Sequence, residues 1–415
     1  MKRATTFIAF IIWVALFAWG VTGVWQRLFG GRELANYGSY VPWGLWVSSY
    51  IYFIGLSAGA FLLSSLIYVF QIKALRKIGR LALFTAALTL LMALLSIWFD
   101  LGHMWRNYEV FTRPNFTSMM AWMVWLYTAY FLLILVELWF ELRCDLAALA
   151  DRGGLLSPVY RVLSLGWKCP STPEQAAACH RQSERVMRVL GSIGVPLAIA
   201  FHGGVGALFA TLSARPYWHS SLFPIMFLTG ALVSGGALIL MMSAVTNVVS
   251  GVDKSDILRL LSRIVLGLLL FDLILEWAEF SIPMWYGVGP EHELLKEVLF
   301  GQYWYVFWVF HIALGSAIPI VLLIRRPASP KWTALAGGLI ALTFLSVRLN
   351  LVIPGLITPQ LEGLQSAYVD QRLRFEYIPS AFEWSVVAFI VALAIGLFVI
   401  GNRILPLRTH DAASA

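Results

Sequence analysis

Asp100 and His103 lie one helical turn apart at the end of a long apolar segment, and Arg106 follows them. Asp100 comes directly after Trp98 and Phe99, so a flat ring could stack beside its carboxyl group. A carboxylate beside an imidazole can bind a hydroquinone hydroxyl and take its proton during oxidation. A solvated helix end is the alternative. We favour the chemical interpretation for Asp100 and leave both interpretations open for His103.

Three carboxylates, Asp272, Glu276 and Glu279, occupy another apolar segment. Spacings of four and seven residues place them on one face of a helix. Ionisable side chains inside a hydrocarbon layer are costly, and each is a hypothesis of function. The row predicts a proton path, because buried carboxylates can accept and release protons. The alternative is that they pair with Arg263 or Arg348 and only hold helices together.

Two histidines, His202 and His311, lie at similar depth in two further apolar segments. Three glycines follow His202 closely and leave room for a ligand to approach its ring. We predict that His202 contacts the same ring as Asp100. Two histidines at one depth could instead ligate a b-type haem, and either could be a core histidine satisfied by a neighbour.

Ten apolar segments must position these residues. The 415-residue chain is 60% hydrophobic and 13% charged, with a mean hydropathy of +0.77, which excludes an ordinary soluble domain. A membrane-spanning helix needs about 20 apolar residues, and lipid leaves no partner for backbone groups outside a helix or a closed barrel. The predicted spans are 7–25, 45–70, 81–99, 118–140, 189–212, 222–246, 260–280, 301–323, 332–350 and 382–401. The predicted fold is an all-α polytopic membrane protein.

Most of the 30 Lys and Arg residues lie in the loops on one side of these spans. The positive-inside rule therefore predicts that both termini are cytoplasmic. The same asymmetry accounts for the net charge of +8, so no nucleic-acid partner is expected. Cys144, Cys169 and Cys179 fall on the cytoplasmic side, where a disulfide is not expected.

The polar stretches 141–188 and 351–381 are the longest in the chain and suggest its divisions. We predict a first helix and outer loop over 1–44, a four-helix bundle over 45–212 with the cytoplasmic loop 141–188, a second four-helix bundle over 222–350, and an outer loop, last helix and cytoplasmic tail over 351–415. Gly-rich stretches at 55–60 and 231–237 hint at a duplicated bundle. Small residues that let helices pack closely would give the same pattern.

The loops on the predicted outer side are rich in Trp, Tyr, Arg and Pro, as in Arg215-Pro-Tyr-Trp-His219. An aromatic belt explains part of this composition, whereas the interleaved arginines suit a docking surface for an extrinsic protein. The sequence contains neither a nucleotide-binding fingerprint nor a Cys-x-x-Cys-His motif. The chain therefore has no evident redox centre of its own.

Several short pieces occur in a characteristic order: Pro42-Trp-Gly44, Gly55-Leu-Ser-Ala-Gly-Ala-Phe61, Asp100-Leu-Gly102, Trp105-Arg-Asn107, Phe201-His-Gly-Gly204, Arg215-Pro-Tyr-Trp218, Pro224, Arg348-Leu-Asn350 and Glu383-Trp384. With these pieces the sequence resembles the NrfD/PsrC family of quinone-interacting membrane subunits. It is most similar to the ten-helix branch that includes HybB- and DsrP-like proteins. The resemblance covers nearly the whole chain.

This resemblance implies two four-helix bundles, no haem, and a menaquinone or ubiquinone site near the outer face. The acid and histidine of that site correspond to Asp100 and His202. Tyr130, Arg106 and Glu279 are weaker assignments, because members of the family differ in their other polar contacts. The resemblance also implies a ferredoxin-like Fe–S subunit on the periplasmic face and a further catalytic subunit, either a molybdopterin enzyme, a hydrogenase or a multihaem cytochrome.

We therefore expect a lipid-embedded, multi-pass subunit of the bacterial inner membrane that exchanges electrons between the quinone pool and the Fe–S partner. It would not act as an enzyme alone, and any proton translocation would use Asp272, Glu276 and Glu279. Two other classes stay open. A secondary transporter is suggested by the duplicated bundle and the buried acids, and a haem b-bearing cytochrome subunit would use His202 and His311.

Overall fold

The computed structural model describes residues 2–168, 172–249, 251–361, 363–368, 370 and 372–408. These residues form helices and loops without a β-strand. Ten long helices, α1 to α10, run Lys2–Gly30, Leu45–Tyr68, Gly79–Asp100, Met119–Asp151, Pro173–Ala210, Phe223–Val245, Val252–Tyr286, Val306–Arg325, Pro330–Ile357 and Ala381–Ile404. Each coincides with one predicted span, so the predicted all-α polytopic fold is confirmed.

Nine of these ten helices are long and apolar enough to cross a membrane within the described residues. The other is α7, which is 35 residues long but carries three carboxylates in its middle. We treat α7 as the tenth span, because it packs between α6 and α8. The chain is a multi-pass membrane protein. The predicted cytoplasmic loop 141–188 is largely helical: its first residues continue α4 to Asp151, and from Pro173 it forms the first part of α5.

Shorter helices occupy the connections. They run Glu109–Thr112, Ser157–Leu163, Pro290–Phe300 and Leu364–Ala367, with 3-10 turns over Lys73–Ile78 and Met104–Arg106. The loops after α1, α3, α5, α7 and α9 all lie at one end of the molecule, together with the carboxyl end of α3. We name this end, defined by residues 31–44, 101–118, 211–222, 287–305 and 358–380, the Asp100 end.

The helices form two groups around a shared core. Helices α2 to α5 pack on one another, and α6 to α9 form a second group. Helices α2 and α5 also pack on α6, while α1 pairs with α10 at the side of α3. Because the core is continuous between the groups, the predicted division at 45–212 and 222–350 stays a prediction.

Small residues let α2 and α6 approach closely at the centre. A Cβ atom added to Gly59 would overlap the Ala231 carbonyl, and one added to Gly235 would lie 2.6 Å from the Ala60 nitrogen. The two glycine-rich stretches thus face each other across the interface, as close backbone packing in membranes requires.

Gly235→Val is expected to lower the melting temperature of the purified protein by about 1–4 °C, since overpacking costs ~1–3 kcal/mol and each kcal/mol shifts Tm by about 1 °C in a chain of 415 residues. Gly267→Val is the matched control, because a Cβ at Gly267 meets no atom within 4 Å. Thermal unfolding in detergent measures both. Equal melting temperatures for the two variants would contradict this account of the helix crossing.

One expectation about the cysteines was wrong. Cys144 of α4 and Cys179 of α5 are joined by a disulfide, 35 residues apart in sequence. The reason is that both helices extend past their apolar spans and continue side by side, which brings the two sulfurs together. Cys169 lies outside the described residues.

Candidate functional site

An apolar cavity of about 680 Å³ opens at the Asp100 end between α2, α3, α4 and α5. We name it the Asp100 cavity. Its wall includes the side chains of Trp43, Tyr50, Tyr127 and Phe209 around Asp100. Ligand sites in proteins commonly measure about 300–1,000 Å³ and combine apolar walls with a few polar groups. This cavity has the size and composition of such a site.

Asp100 is the last residue of α3, and its side chain is only 7% exposed. Its Oδ1 atom has no hydrogen-bond partner among the described residues. Two guanidinium groups fix the backbone around it: Arg27 Nε donates to the Phe99 carbonyl at 2.7 Å, and Arg32 Nη1 donates to the Asp100 carbonyl at 2.8 Å. Cations at a helix carboxyl end are stabilising. Asp100 thus lines the cavity, and its carboxyl group has one buried oxygen without a hydrogen-bond partner among the described residues.

Tyr50 of α2 and Tyr127 of α4 form the deeper wall of the cavity. Their rings meet edge to face with centroids 6.3 Å apart, and both are largely buried. Aromatic rings in this arrangement present flat apolar surface together with a polar hydroxyl. A planar ring in the cavity could pack against these two side chains while Asp100 binds its polar edge.

The predicted residues His103 and Arg106 lie on the exposed connection after α3. Arg106 Nε donates to Glu109 Oε1 at 2.9 Å, and Glu109 itself lines the Asp100 cavity. Arg106 is therefore linked to the cavity rim through Glu109. His103 is not among the lining residues.

The predicted residue Tyr130 lies elsewhere, in the core of the first helix group. Its ring is fully buried between Phe61 and Phe201, and its hydroxyl donates to the Ser57 carbonyl at 3.3 Å. It is not among the residues that line the Asp100 cavity. The structure gives Tyr130 a packing role, and its contact with a quinone stays a prediction.

His202 of α5 is also fully buried, but it faces the second helix group. Its Nε2 atom lies 2.8 Å from the Phe227 carbonyl, and its Nδ1 atom has no partner among the described residues. A Cβ placed on Gly55 would have both His202 and Arg348 as neighbours at 3.7 Å. The structure therefore brings His202 to Arg348 and does not place it in the lining of the Asp100 cavity.

A second set of ionisable side chains lies between α6, α7, α8 and α9, and we name Asp272, Glu276, His311 and Arg348 the Arg348 cluster. His311 and Arg348 are buried, and the two carboxylates are half-buried. Asp272 accepts a hydrogen bond from Thr229 at 2.7 Å, and His311 Nε2 lies 2.7 Å from Glu276 Oε2. These four residues surround a small cavity of about 40 Å³. Three of them were predicted from sequence as part of a proton path or as a candidate haem ligand.

Arg348 lies over the rings of Phe227 and Phe344, with its guanidinium carbon 4.7 and 5.1 Å from their centroids. Its Nε and Nη2 atoms have no hydrogen-bond partner among the described residues. Asp272 is its electrostatic partner. The cation is therefore held by two aromatic faces and one nearby carboxylate.

His311 lies in a widened part of α8, a π-helix over Val306–Ala317. The Ser316 hydroxyl donates to the His311 carbonyl at 3.0 Å, five residues back in the chain. π-helical turns are rare overall, and those that occur are often found at functional sites. The Nε2 atoms of His202 and His311 are directed at different partners, and the described residues contain no group of three or more metal-ligating side chains.

Glu279 lies closer to the Asp100 end than the cluster does. It lines a polar cavity of about 320 Å³ with Tyr217, His219 and Glu291. The predicted row on α7 therefore runs from the half-buried Asp272 and Glu276 to a cavity at the molecular surface. This arrangement is compatible with the predicted proton path, whose role stays a prediction.

Sequence reasoning assigned no role to several buried polar residues. Glu383 is fully buried at the start of α10, and Glu137 of α4 is 1% exposed with an unpartnered Oε1 atom among the described residues. The spacing of Ser380 and Glu383 is a capping box, a signal that the sequence does carry. Tyr37 and Tyr377, which lie in loops, give no comparable signal.

Comparison with known proteins identifies relatives over most of the chain. The family described as polysulphide reductase, NrfD matches residues 33–360. A selenate reductase subunit of Mesobacillus selenatarsenatis is 39% identical over 392 residues, which cover 93% of this chain and 91% of that protein.

Two more distant relatives carry quinone names. The Hdr-like menaquinol oxidoreductase integral membrane subunit of Archaeoglobus fulgidus is 27% identical over 90% of this chain and 86% of its own length. The menaquinone reductase integral membrane subunit of Nitratidesulfovibrio vulgaris is 22% identical over 97% of this chain and 93% of its own length. Both are named as membrane subunits of oxidoreductases.

Proposed function

Since the chain belongs to the polysulphide reductase NrfD family, we propose that it binds menaquinone or ubiquinone in the Asp100 cavity. The chain is a membrane subunit of a respiratory oxidoreductase complex. In that complex it would exchange electrons between the quinone pool and an extrinsic Fe–S protein. The names of two relatives, which refer to menaquinol and menaquinone, support the choice of ligand.

The observation that carries this proposal is the free carboxylate oxygen in an apolar cavity. Burial of a charged group without a partner costs free energy, and a bound ligand that donates a hydrogen bond to Asp100 would offset this cost. A quinone fits the donor set, because its ring needs flat apolar walls and its oxygens need a group that can exchange protons. Tyr50 and Tyr127 offer the walls, and Asp100 offers the proton-exchanging group.

A bound quinone supplies two-electron, two-proton chemistry on one ring. Asp100 Oδ1 would accept a hydrogen bond from a ring hydroxyl and take its proton during oxidation, or return a proton during reduction. Arg27 and Arg32 hold the backbone of Asp100 in place. The apolar walls exclude water, which strengthens the contact with the carboxyl group.

The proposal also includes a partner subunit and the side of the membrane that the Asp100 end faces. Large side chains at the Asp100 end are exposed in the isolated chain, among them Trp105 at 68% and Phe300 at 67%. We place a ferredoxin-like Fe–S subunit on this surface and the Asp100 end in the periplasm. The positive-inside rule then puts both termini in the cytoplasm of a bacterial inner-membrane protein. A molybdopterin enzyme, a hydrogenase or a multihaem cytochrome would complete the complex.

The acids of α7 are proposed as a proton path. Asp272 and Glu276 lie in the Arg348 cluster, and Glu279 lies in a polar cavity at the Asp100 end. His202 lies near Arg348 beside Gly55, so it would influence the path as well as any direct contact with quinone.

The proposal predicts that Ala121→Trp prevents binding of a fluorescent quinol analogue. Ala121 is 6% exposed and lines the Asp100 cavity, so a Trp side chain would occupy the space of the ring. Ala129→Trp is the matched control, because Ala129 lies on the same helix but is exposed on its outer surface. Fluorescence quenching of the purified protein measures the affinity.

Saturable quenching in wild type and Ala129→Trp, with a loss of at least about tenfold in affinity for Ala121→Trp, is the expected result; a tenfold loss equals ~1.4 kcal/mol. His202→Ala belongs in the same titration. Weakened binding in that variant would assign His202 to the quinone site, and unchanged binding would restrict it to the Arg348 cluster. No saturable binding to wild type would overturn the proposal.

A further inference from the structure

A polar groove of about 730 Å³ lies at the Asp100 end beside the Asp100 cavity. Its lining includes Glu33, Asn36, Tyr37, Arg372 and Tyr377. The loop after α1 and the loop before α10 form it together: Ser39 N donates to the Arg372 carbonyl at 2.8 Å, and Asn36 Nδ2 donates to the Ile378 carbonyl at 2.7 Å. The charged lining makes this groove accessible to water, in contrast to the apolar cavity next to it.

Two tyrosines stand at the boundary between the groove and the start of α2. The rings of Tyr37 and Tyr377 are stacked, with centroids 5.8 Å apart and planes 12° from parallel. Gly44 makes room for both, because a Cβ there would overlap the Tyr377 hydroxyl and lie 2.6 Å from Tyr37 Cε1. The two phenols thus occupy equivalent positions at one helix end.

Each phenol oxygen accepts a hydrogen bond from the first turn of α2. The Trp46 N–H donates to the Tyr37 hydroxyl at 3.3 Å, and the Leu45 N–H donates to the Tyr377 hydroxyl at 2.8 Å. A phenol that accepts one bond still has its own O–H to donate. The two tyrosines differ in the group that lies next to this O–H.

The Tyr377 hydroxyl donates to Glu383 Oε1. Glu383 is fully buried, and its other oxygen accepts hydrogen bonds from Ser380 N at 2.8 Å and Asn36 N at 3.2 Å. The proton of Tyr377 is therefore committed to a closed structural network. Tyr37, in contrast, lies beside Asp100: the Arg32 guanidinium carbon is 5.3 Å from the centroid of the Tyr37 ring, and Arg32 Nη1 donates to the Asp100 carbonyl at 2.8 Å. The Asp100 carboxyl group is thus an electrostatic neighbour of the Tyr37 phenol.

Tyr37 consequently lies between the polar groove and the Asp100 cavity. It is half-buried and lines the polar groove, while Asp100, which it neighbours through Arg32, lines the apolar cavity. We propose that Tyr37 transfers protons between Asp100 and the water of the polar groove. The inference rests on the proposed quinone site, which gives Asp100 a proton to release or to receive.

Oxidation of one quinol releases two electrons and two protons. The ring O–H bond beside Asp100 breaks and its proton forms an O–H bond on the Asp100 carboxylate; the proton of the second ring O–H follows the same route once Asp100 is charged again, and the two electrons leave one at a time to an Fe–S cluster of the extrinsic partner. The Tyr37 oxygen then takes the proton from Asp100 and releases its own proton to groove water. Asp100 returns to its charged form, and Tyr37 ends as it began.

The protonation state of Tyr37 fits this role. Burial raises the pKa of Tyr37 well above its usual value, and the nearby Asp100 carboxylate raises it further. The phenol is therefore neutral at physiological pH and can accept one proton while it gives up another. A tyrosinate intermediate is not required.

Tyr37→Phe is expected to slow turnover of the assembled complex about tenfold or more, because positioned proton transfer typically contributes 10²–10⁴-fold and water would replace part of it. Binding of the quinol analogue should be unchanged. The solvent deuterium isotope effect on turnover should increase, and added imidazole should restore part of the rate as a diffusible proton acceptor. A merely structural role for Tyr37 would give neither response.

Tyr377→Phe is the matched control, since it removes the equivalent hydroxyl from the same helix end and keeps the stacked ring. It should affect thermal stability at least as much as Tyr37→Phe but leave the isotope effect and the imidazole response at wild-type values. Wild-type turnover in Tyr37→Phe, or equal isotope and imidazole responses in both variants, would overturn the role of Tyr37 alone. Absence of analogue binding to wild type would overturn the quinone site together with this inference.

Discussion

Asp100→Asn is expected to abolish quinol-dependent turnover of the assembled complex, with a loss of at least about 100-fold, the lower range for a general acid–base group. Asparagine keeps the shape of the side chain and one acceptor oxygen, but it replaces the other oxygen by an NH2 group and cannot take up a proton at neutral pH. The free Oδ1 atom of Asp100 is the only described feature of the cavity that combines burial with an unpartnered acceptor. Steady-state oxidation of a quinol analogue with an artificial electron acceptor measures the effect.

The control for this prediction is Asp151→Asn, the same chemical change at an exposed position at the end of α4. Asp151→Asn should retain wild-type turnover. Co-purification of partner subunits and the melting temperature should be the same for both variants, because Arg27 and Arg32 contact backbone carbonyls rather than the Asp100 carboxyl group. Wild-type turnover in Asp100→Asn would remove this residue from the mechanism.

The fold was predictable because lipid imposes a simple rule. Each span must satisfy its backbone within one helix, so hydropathy alone located all ten helices. Even α7 was located, although Asp272, Glu276 and Glu279 make it less apolar than the other nine. The family was predicted from motif order and is confirmed by the match over 33–360.

The assignment of side chains to sites was less predictable. Helical periodicity fixes which residues share a face, but it does not say which neighbouring helix that face meets. Asp100 was placed at a potential ligand site from its position at the end of a helix, and the structure puts it in an apolar cavity. His202 lies in a neighbouring helix at greater depth, and the rotation of α5 turns it towards Phe227 and Arg348.

Contacts between distant loops could not be predicted at all. The stacked pair Tyr37 and Tyr377 depends on two loops that are 340 residues apart and meet only through the pairing of α1 with α10. The disulfide between Cys144 and Cys179 depends in the same way on how far α4 and α5 extend beyond the apolar layer. Neither extension nor loop pairing leaves a periodic signal in the sequence.

The Arg348 cluster allows the proposed proton path to be tested separately from the proposed quinone site. Its groups lie between α6 and α9, whereas the Asp100 cavity lies between α2 and α5. A change in the cluster should therefore leave the binding of quinone intact. Such a change should impair only the translocation of protons through the second helix group.

Asp272→Asn is expected to lower proton translocation per electron by about tenfold or more, since the variant cannot carry a proton between Glu276 and the rest of the path. Electron transfer to an artificial acceptor should stay near the wild-type rate. Proteoliposomes with an internal pH dye measure both quantities in one sample. Asp256→Asn is the matched control, because Asp256 lies on the same helix but is exposed.

Asp272→Asn also removes the carboxylate nearest in charge to Arg348. A loss of protein stability must therefore be distinguished from a loss of proton transfer. An unpaired buried charge is destabilising by ~3–5 kcal/mol, and the double variant Asp272→Asn with Arg348→Gln removes it. If the proton defect persists in a double variant whose melting temperature has recovered, Asp272 carries protons. If proton translocation recovers together with stability, Asp272 is an electrostatic partner of Arg348, and the row on α7 serves only to hold the second helix group together.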